Sequence, residues 1–95
     1  MRLKDVCEIK LNFPEADFWL TRKGGEKEVG KPTKNFSSEN IGIKVIDENI
    51  LVPDYLYYVM TYFHSMGYFN KLSHGTLALK NIKTEDVKNI KLREQ

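Results

Sequence analysis

Cysteine is almost missing from this sequence. Cys7 is the only one in 95 residues, so no internal disulfide can form and nothing points to a secreted, stapled scaffold. Histidine is scarce as well. His64 and His74 are the only two, and a zinc site would have to recruit other ligands at a spacing that carries no signal. No run is long or apolar enough to span a membrane. The N-terminal MRLKDVCEIK alternates charged and apolar residues where a signal peptide needs an apolar core. A cytoplasmic protein with no membrane partner is therefore expected. A dominant charge is lacking too: the net charge of +2 is too weak to announce a nucleic-acid binder by itself. There is no internal repeat and no low-complexity tract. What remains, 41% hydrophobic and 29% charged, is the balance of an ordinary folded chain, and its length allows one domain, residues 1–95, with a single modest core.

The dominant positive feature is PDYLYYVMTYFHSMG, residues 53–67, which predicts one amphipathic helix. Leu56, Val59, Met60 and Phe63 share a face at i, i+3, i+4, i+7 spacing. Pro53 suits the first helical position, Asp54 complements the helix dipole, and Gly67 suits the left-handed residue that ends the helix. Tyr55, Tyr58 and Tyr62 form a second stripe beside the aliphatic one, and Tyr57, Thr61, His64 and Ser65 fall on the more polar side. Two readings of the tyrosine stripe stay open. Either the rings lean over the sheet edge with hydroxyls in water, or the stripe meets a second chain.

Alternation predicts strands at residues 5–13, with Cys7, Ile9, Leu11 and Phe13 inward, at 16–21, with Phe18 and Leu20 inward, and at 41–45. Cys7 is expected to be a small core residue, not a reactive thiol. Trp19 falls on the opposite face from Phe18 and Leu20, where it either covers the sheet or stands as an exposed platform. Residues 22–35, RKGGEKEVGKPTKN, form the most turn-rich segment, a long loop with lysines outward. Gly25 and Gly30 with Lys31 approach a phosphate-binding P-loop, but Pro32 obstructs the helix that must follow, so that motif is rejected. After Gly67, Tyr68, Phe69 and Leu72 predict a second short helix. Residues 73–76 read as a loop, and Leu77, Leu79 and Ile82 as a strand. Thr84 is expected to cap a helical turn carrying Glu85, Asp86, Val87 and Ile90, and 91–95 to be a frayed or extended end. The expected fold is α+β: a small curved, mostly antiparallel sheet packed against one main helix over 53–67 and short helical turns.

Catalysis is poorly supported. The two histidines pair with no nucleophile, and the carboxylates are scattered, so no catalytic residue, cofactor or metal is expected. Binding is better supported. One segment offers Arg22, Lys23, Lys31, Thr33 and Lys34; another offers Ser73, His74, Gly75, Thr76, Lys80 and Asn81. Lysines suit phosphates, while Arg, Asn, Ser and Thr can reach base edges. Charge counts alone favour a solvated loop; the binding reading rests on the clustering of these residues in two segments.

From residue 40 onward the order of motifs resembles a known family. ILVPDYLYY (50–58) opens a helix, an aromatic second turn follows, then Gly75-Thr76, a short strand, and KNIKTEDVKNIKL (80–92). This looks like a target recognition domain of the DNA specificity subunits of type I restriction-modification systems. The resemblance covers residues 40–92 well and the first forty loosely. It implies a small α+β domain that reads double-stranded DNA without catalysis, with 22–35 and 73–81 as the DNA-facing segments. It also implies partners among methyltransferase or restriction subunits. The family carries spacer helices and a second recognition domain, which are not found here. The expectation is a stand-alone, single-domain relative of phage or mobile-element origin, reading bipartite sites as a homodimer through Tyr55, Tyr58 and Tyr62. The alternative is a protein-interaction module that uses the same tyrosines to engage a restriction-modification or other host protein as an inhibitor or decoy.

Overall fold

Strand β1 (Cys7–Lys10) forms where charged and apolar residues alternate: Cys7 and Ile9 are buried and Glu8 and Lys10 exposed. In a computed structural model of the chain, which describes residues 1–92, β1 is the edge of a four-stranded antiparallel sheet. Its partner is β5 (Ile41–Val45), with Cys7 opposite Val45 and Ile9 opposite Ile43. On the far side of β5 lies β2 (Phe18–Leu20), and beyond it β4 (Pro32–Thr33), giving the order β1-β5-β2-β4. A second antiparallel sheet of three two-residue strands, β3 (Lys23–Gly24), β7 (Lys80–Asn81) and β6 (His74–Gly75), runs in the order β3-β7-β6. The α+β expectation holds, with two sheets in place of one.

All three residues of β2 are buried because the large sheet is covered on both faces. Phe18 and Leu20 join the main core with Ile41, Ile43, Leu56, Met60 and Phe69. Trp19 covers the other face. Its indole N–H donates to the Phe13 carbonyl at 3.0 Å, and Phe36 packs on it edge-on at 5.8 Å. Gly42, opposite Trp19, is needed here: a Cβ would lie 2.7 Å from Phe13 Cβ and 3.0 Å from Ala16 Cβ. Of the two roles open to Trp19, covering the sheet is the one it plays.

The first strand is shorter than its alternation predicts. Asn12 adopts a left-handed backbone (φ 49°) and donates its N–H to the Ser38 carbonyl, so the pleat breaks after Lys10. Leu11 is consequently exposed, and Phe13 is buried beneath Trp19 instead of beside Ile9. Cys7 is buried as expected. Desolvation, with a smaller contribution from the nearby Asp17 carboxylate, pushes its thiol up to about 12.

Helix α1 (Pro53–Ser65) starts on Pro53 and places Leu56 and Met60 at zero exposure, a burial of roughly 1.5–3 kcal/mol each. Gly67 is left-handed (φ 76°) and leads directly into α2 (Tyr68–Leu72). The aliphatic face is the expected one, with Val59 and Phe63 also packed against the core. Tyr57, assigned to the polar side, turns toward the sheet, and His64, also assigned there, reaches the Lys27 carbonyl of the basic loop. The Tyr57 ring meets Phe18 edge-on at 5.3 Å, and its hydroxyl donates to the Pro32 carbonyl at 3.5 Å. Helix α3 (Thr84–Lys88) buries Val87; its start is closed by Asp86, which accepts the Lys83 N–H at 2.9 Å, and not by Thr84. The ends of the described chain lie side by side: Leu3 N–H bonds to the Ile90 carbonyl and Leu92 N–H to the Met1 carbonyl. The remainder of the expected frayed end, 93–95, lies outside the described residues.

Gly30 has φ 81°, and a Cβ there would run into the Phe69 ring. Gly30→Ala should therefore lower the urea midpoint, with a loss of about 1–3 kcal/mol, and Phe69→Leu in the same chain should recover part of it. An unchanged midpoint for Gly30→Ala would show that the ring does not pack there.

Candidate functional site

The turn-rich segment 22–35 is built, not structureless. Two strands flank a tight turn in which the Glu28 and Val29 N–H groups bond to the Gly25 carbonyl. Val29, at 1% exposure, anchors the turn in the main core. His64 holds it from outside: its Nε2 lies 2.7 Å from the Lys27 carbonyl. A carbonyl only accepts, so that nitrogen carries the proton. His64 is thus a positioning residue for the basic loop, a role that its place in the helical sequence alone did not reveal.

Strand pairing then joins the two candidate segments. Lys23 sits opposite Asn81, and Asn81 opposite His74; Gly24 sits opposite Lys80, and Lys80 opposite Gly75. Residues directly opposite in an antiparallel ladder point to the same face. One face therefore carries the row Lys23, Asn81, His74; the other carries Lys80 between two glycines. Asn81 Nδ2 donates to the His74 carbonyl at 3.4 Å, and Lys80 Nζ reaches Ser73 Oγ at 3.5 Å. His74 Nε2 lies 3.1 Å from Asp86 Oδ2, the oxygen that also closes α3, so the imidazole is tied to a helix start.

The segment expected to be a strand through Leu77 and Leu79 is instead a hairpin tip, with the strand itself confined to Lys80–Asn81. Thr76 and Leu79 exchange both backbone hydrogen bonds at 3.2 Å, leaving Leu77 and Ala78 at the apex. Leu77 is 72% and Leu79 66% exposed; only Ile82, of the three, is buried. Gly75 and Thr76 have local structural roles here. Gly75 has φ 102° and its Cα faces the Leu79 carbonyl too closely for any side chain, while Thr76 Oγ1 accepts the Leu79 N–H at 3.3 Å.

The other expected residues lie apart from this small sheet. Thr33 is on the edge strand β4 of the large sheet, where its Oγ1 accepts the Asn35 N–H; Lys31 and Lys34 flank that strand. Lys34 is 3.5 Å from Asp54 and stands 4.5 Å above the Tyr57 ring. Arg22 is engaged with backbone, its Nε donating to the Glu39 carbonyl at 2.7 Å. Among the described residues, Lys23 and Lys31 pair with no carboxylate. On α1, Tyr55, Tyr58 and Tyr62 are 62%, 74% and 61% exposed, and Met66, one turn further, extends the stripe. No group of three His, Cys, Asp or Glu side chains among the described residues is arranged to hold a metal ion. No helix among them is long and apolar enough to cross a membrane.

This fold has a solved counterpart. The crystal structure of the type I restriction-modification system S subunit from M. genitalium matches with a TM-score of 0.70 over 95% of this chain, at 16% sequence identity. The likeness is one of fold. The matched region makes up 32% of that S subunit, so this chain spans about a third of its length. No protein-family model matches the chain, and no curated protein sequence matches it.

His64→Ala removes the outer tether of the loop. Trypsin should then cut after Lys27 several-fold faster, with a stability loss of about 1 kcal/mol. Cleavage at the wild-type rate would mean that the inner anchors, Val29 and Gly30 against Phe69, hold the turn without it.

Proposed function

We propose that this chain is a non-enzymatic DNA-binding module of the type I target-recognition kind, reading duplex DNA with the segments 22–35 and 73–81. The observation that carries this reading is the pairing of β3 with β7 and of β7 with β6. It gathers Lys23, Asn81 and His74 from two distant stretches into one row of a small sheet, with Lys80 on its other face. Support comes also from the fold shared with an S subunit, and from the motif resemblance over residues 40–92. Lys23 and Lys31, free of carboxylates, suit phosphates; Asn81 and His74, set in one row, suit base edges. Arg22 is assigned a structural part, since its guanidinium already serves the 36–40 turn. Partner subunits of a restriction-modification system fit the same reading.

Fluorescence anisotropy on a mixed-sequence duplex at two salt concentrations tests it. Affinity should fall steeply with salt, and Lys23→Ala and Lys31→Ala should each lower the logarithmic salt slope by about 0.9. His74→Ala and Asn81→Ala should change the sequence recovered from a random-duplex selection more than they change that slope. Absence of binding at low salt would remove the DNA reading.

A second reading rests on the exposed tyrosine stripe, which leaves one face of α1 uncovered among the described residues. In it, α1 is the contact between two copies. Sedimentation should then show a dimer for the wild type and a monomer for Tyr58→Ala of unchanged circular dichroism. A wild-type monomer at high concentration would refute this contact.

A further inference from the structure

The β6–β7 hairpin ends in two leucines that the DNA-binding reading does not use. Six consecutive residues, His74 to Leu79, are all exposed. The reversal is tight: Leu77 and Ala78 alone form the apex, closed by the reciprocal Thr76–Leu79 backbone pair and by Thr76 Oγ1. Gly75 sets the geometry from below, and Ile82, at 1% exposure, fastens the outgoing strand to the main core. The tip is therefore an apolar point on a braced stalk.

The stalk itself is cationic and polar. His74, Lys80 and Asn81 lie along it, and Lys23 lies beside Asn81 on the neighbouring strand, on the opposite face from Lys80. This combination narrows the choice of occupant. A stable protein interface needs about 800 Å² from each partner, far more than two leucine side chains at a hairpin apex supply. A DNA base step needs only one or two apolar side chains, with cations beside them to hold the flanking phosphates.

We infer that the hairpin apex is a wedge: Leu77 enters between two stacked base pairs of the bound duplex, with Leu79 behind it and Lys23 and Lys80 on the neighbouring phosphates. The inference rests on the DNA reading and adds a mode of readout to it. Unstacking costs least at flexible steps, so the wedge contributes sequence preference through DNA deformability, without a hydrogen bond to any base. The bound duplex is bent by about 20–90°, as wedge insertion bends DNA elsewhere.

The probe is a short duplex bearing the sequence recovered by selection, with 2-aminopurine placed at each position in turn and a donor–acceptor pair at its ends. Wild-type protein should raise 2-aminopurine fluorescence at one step and shorten the end-to-end distance. Leu77→Ala should abolish both signals and weaken binding about tenfold while leaving the salt slope unchanged; Leu77→Phe should keep both signals. The residue is exposed, so these variants should fold, and circular dichroism checks that they do. Salt-dependent binding with no fluorescence change would overturn the wedge and leave the DNA reading standing. Equal affinity and equal bending with Leu77→Ala would do the same. A library from which no duplex is retained would overturn both.

Discussion

Residues 18–24 form one extended run that belongs to both sheets, and the architecture depends on it. Phe18 to Leu20 lie inside the large sheet, buried on both faces. Thr21 then exchanges backbone hydrogen bonds with Gly30 and Lys31, the Arg22 carbonyl accepts from Ile82, and Lys23 and Gly24 pair with Asn81 and Lys80. A sheet of two-residue strands has too few hydrogen bonds, at about 0.5–1.5 kcal/mol net each, to persist alone. It exists here because its central strand continues into the buried Ile82 and its edge strand continues out of β2. The candidate binding surface is thus an outgrowth of the core and inherits its rigidity.

The basic segment shows the same economy. Fixing each residue of a long connection costs on the order of 1–2 kcal/mol of backbone entropy, so it stays ordered only where contacts repay that loss. Val29 in the core, Gly30 against Phe69 and His64 on the Lys27 carbonyl supply those contacts at three points. Lysines carried on such a frame lose little further freedom when they meet an anion, because the backbone beneath them is already in place.

Trp19 and Phe13 show how far one residue can redirect a fold. Asn12, by turning left-handed, stops β1 and sends Phe13 across to the second face of the sheet. There it closes over Gly42 and accepts the indole N–H of Trp19, forming a small apolar layer apart from the main core. The two faces together bury β2 completely, which is why this short strand can serve as the trunk of both sheets.

The sequence by itself determined the elements whose signal is local. Helix α1 and its glycine stop, the alternation of Cys7 and Ile9, the strand at 41–45 and the burial of Val87 follow from periods of 3.6 or 2 within a few residues, where backbone geometry dictates side-chain direction. It also marked the two polar segments as candidates for binding. Only the tertiary structure decided that these segments pair, because two-residue strands carry no periodicity and their register comes from partners distant in the chain. It likewise decided which tyrosine turns inward: Tyr57, on the side read as polar, packs against Phe18, while Tyr55, Tyr58 and Tyr62 stay exposed. Leu77, Leu79 and Ile82 read as one strand from their spacing. A turn of two residues, closed by Thr76 and shaped by Gly75, placed the two leucines in water instead.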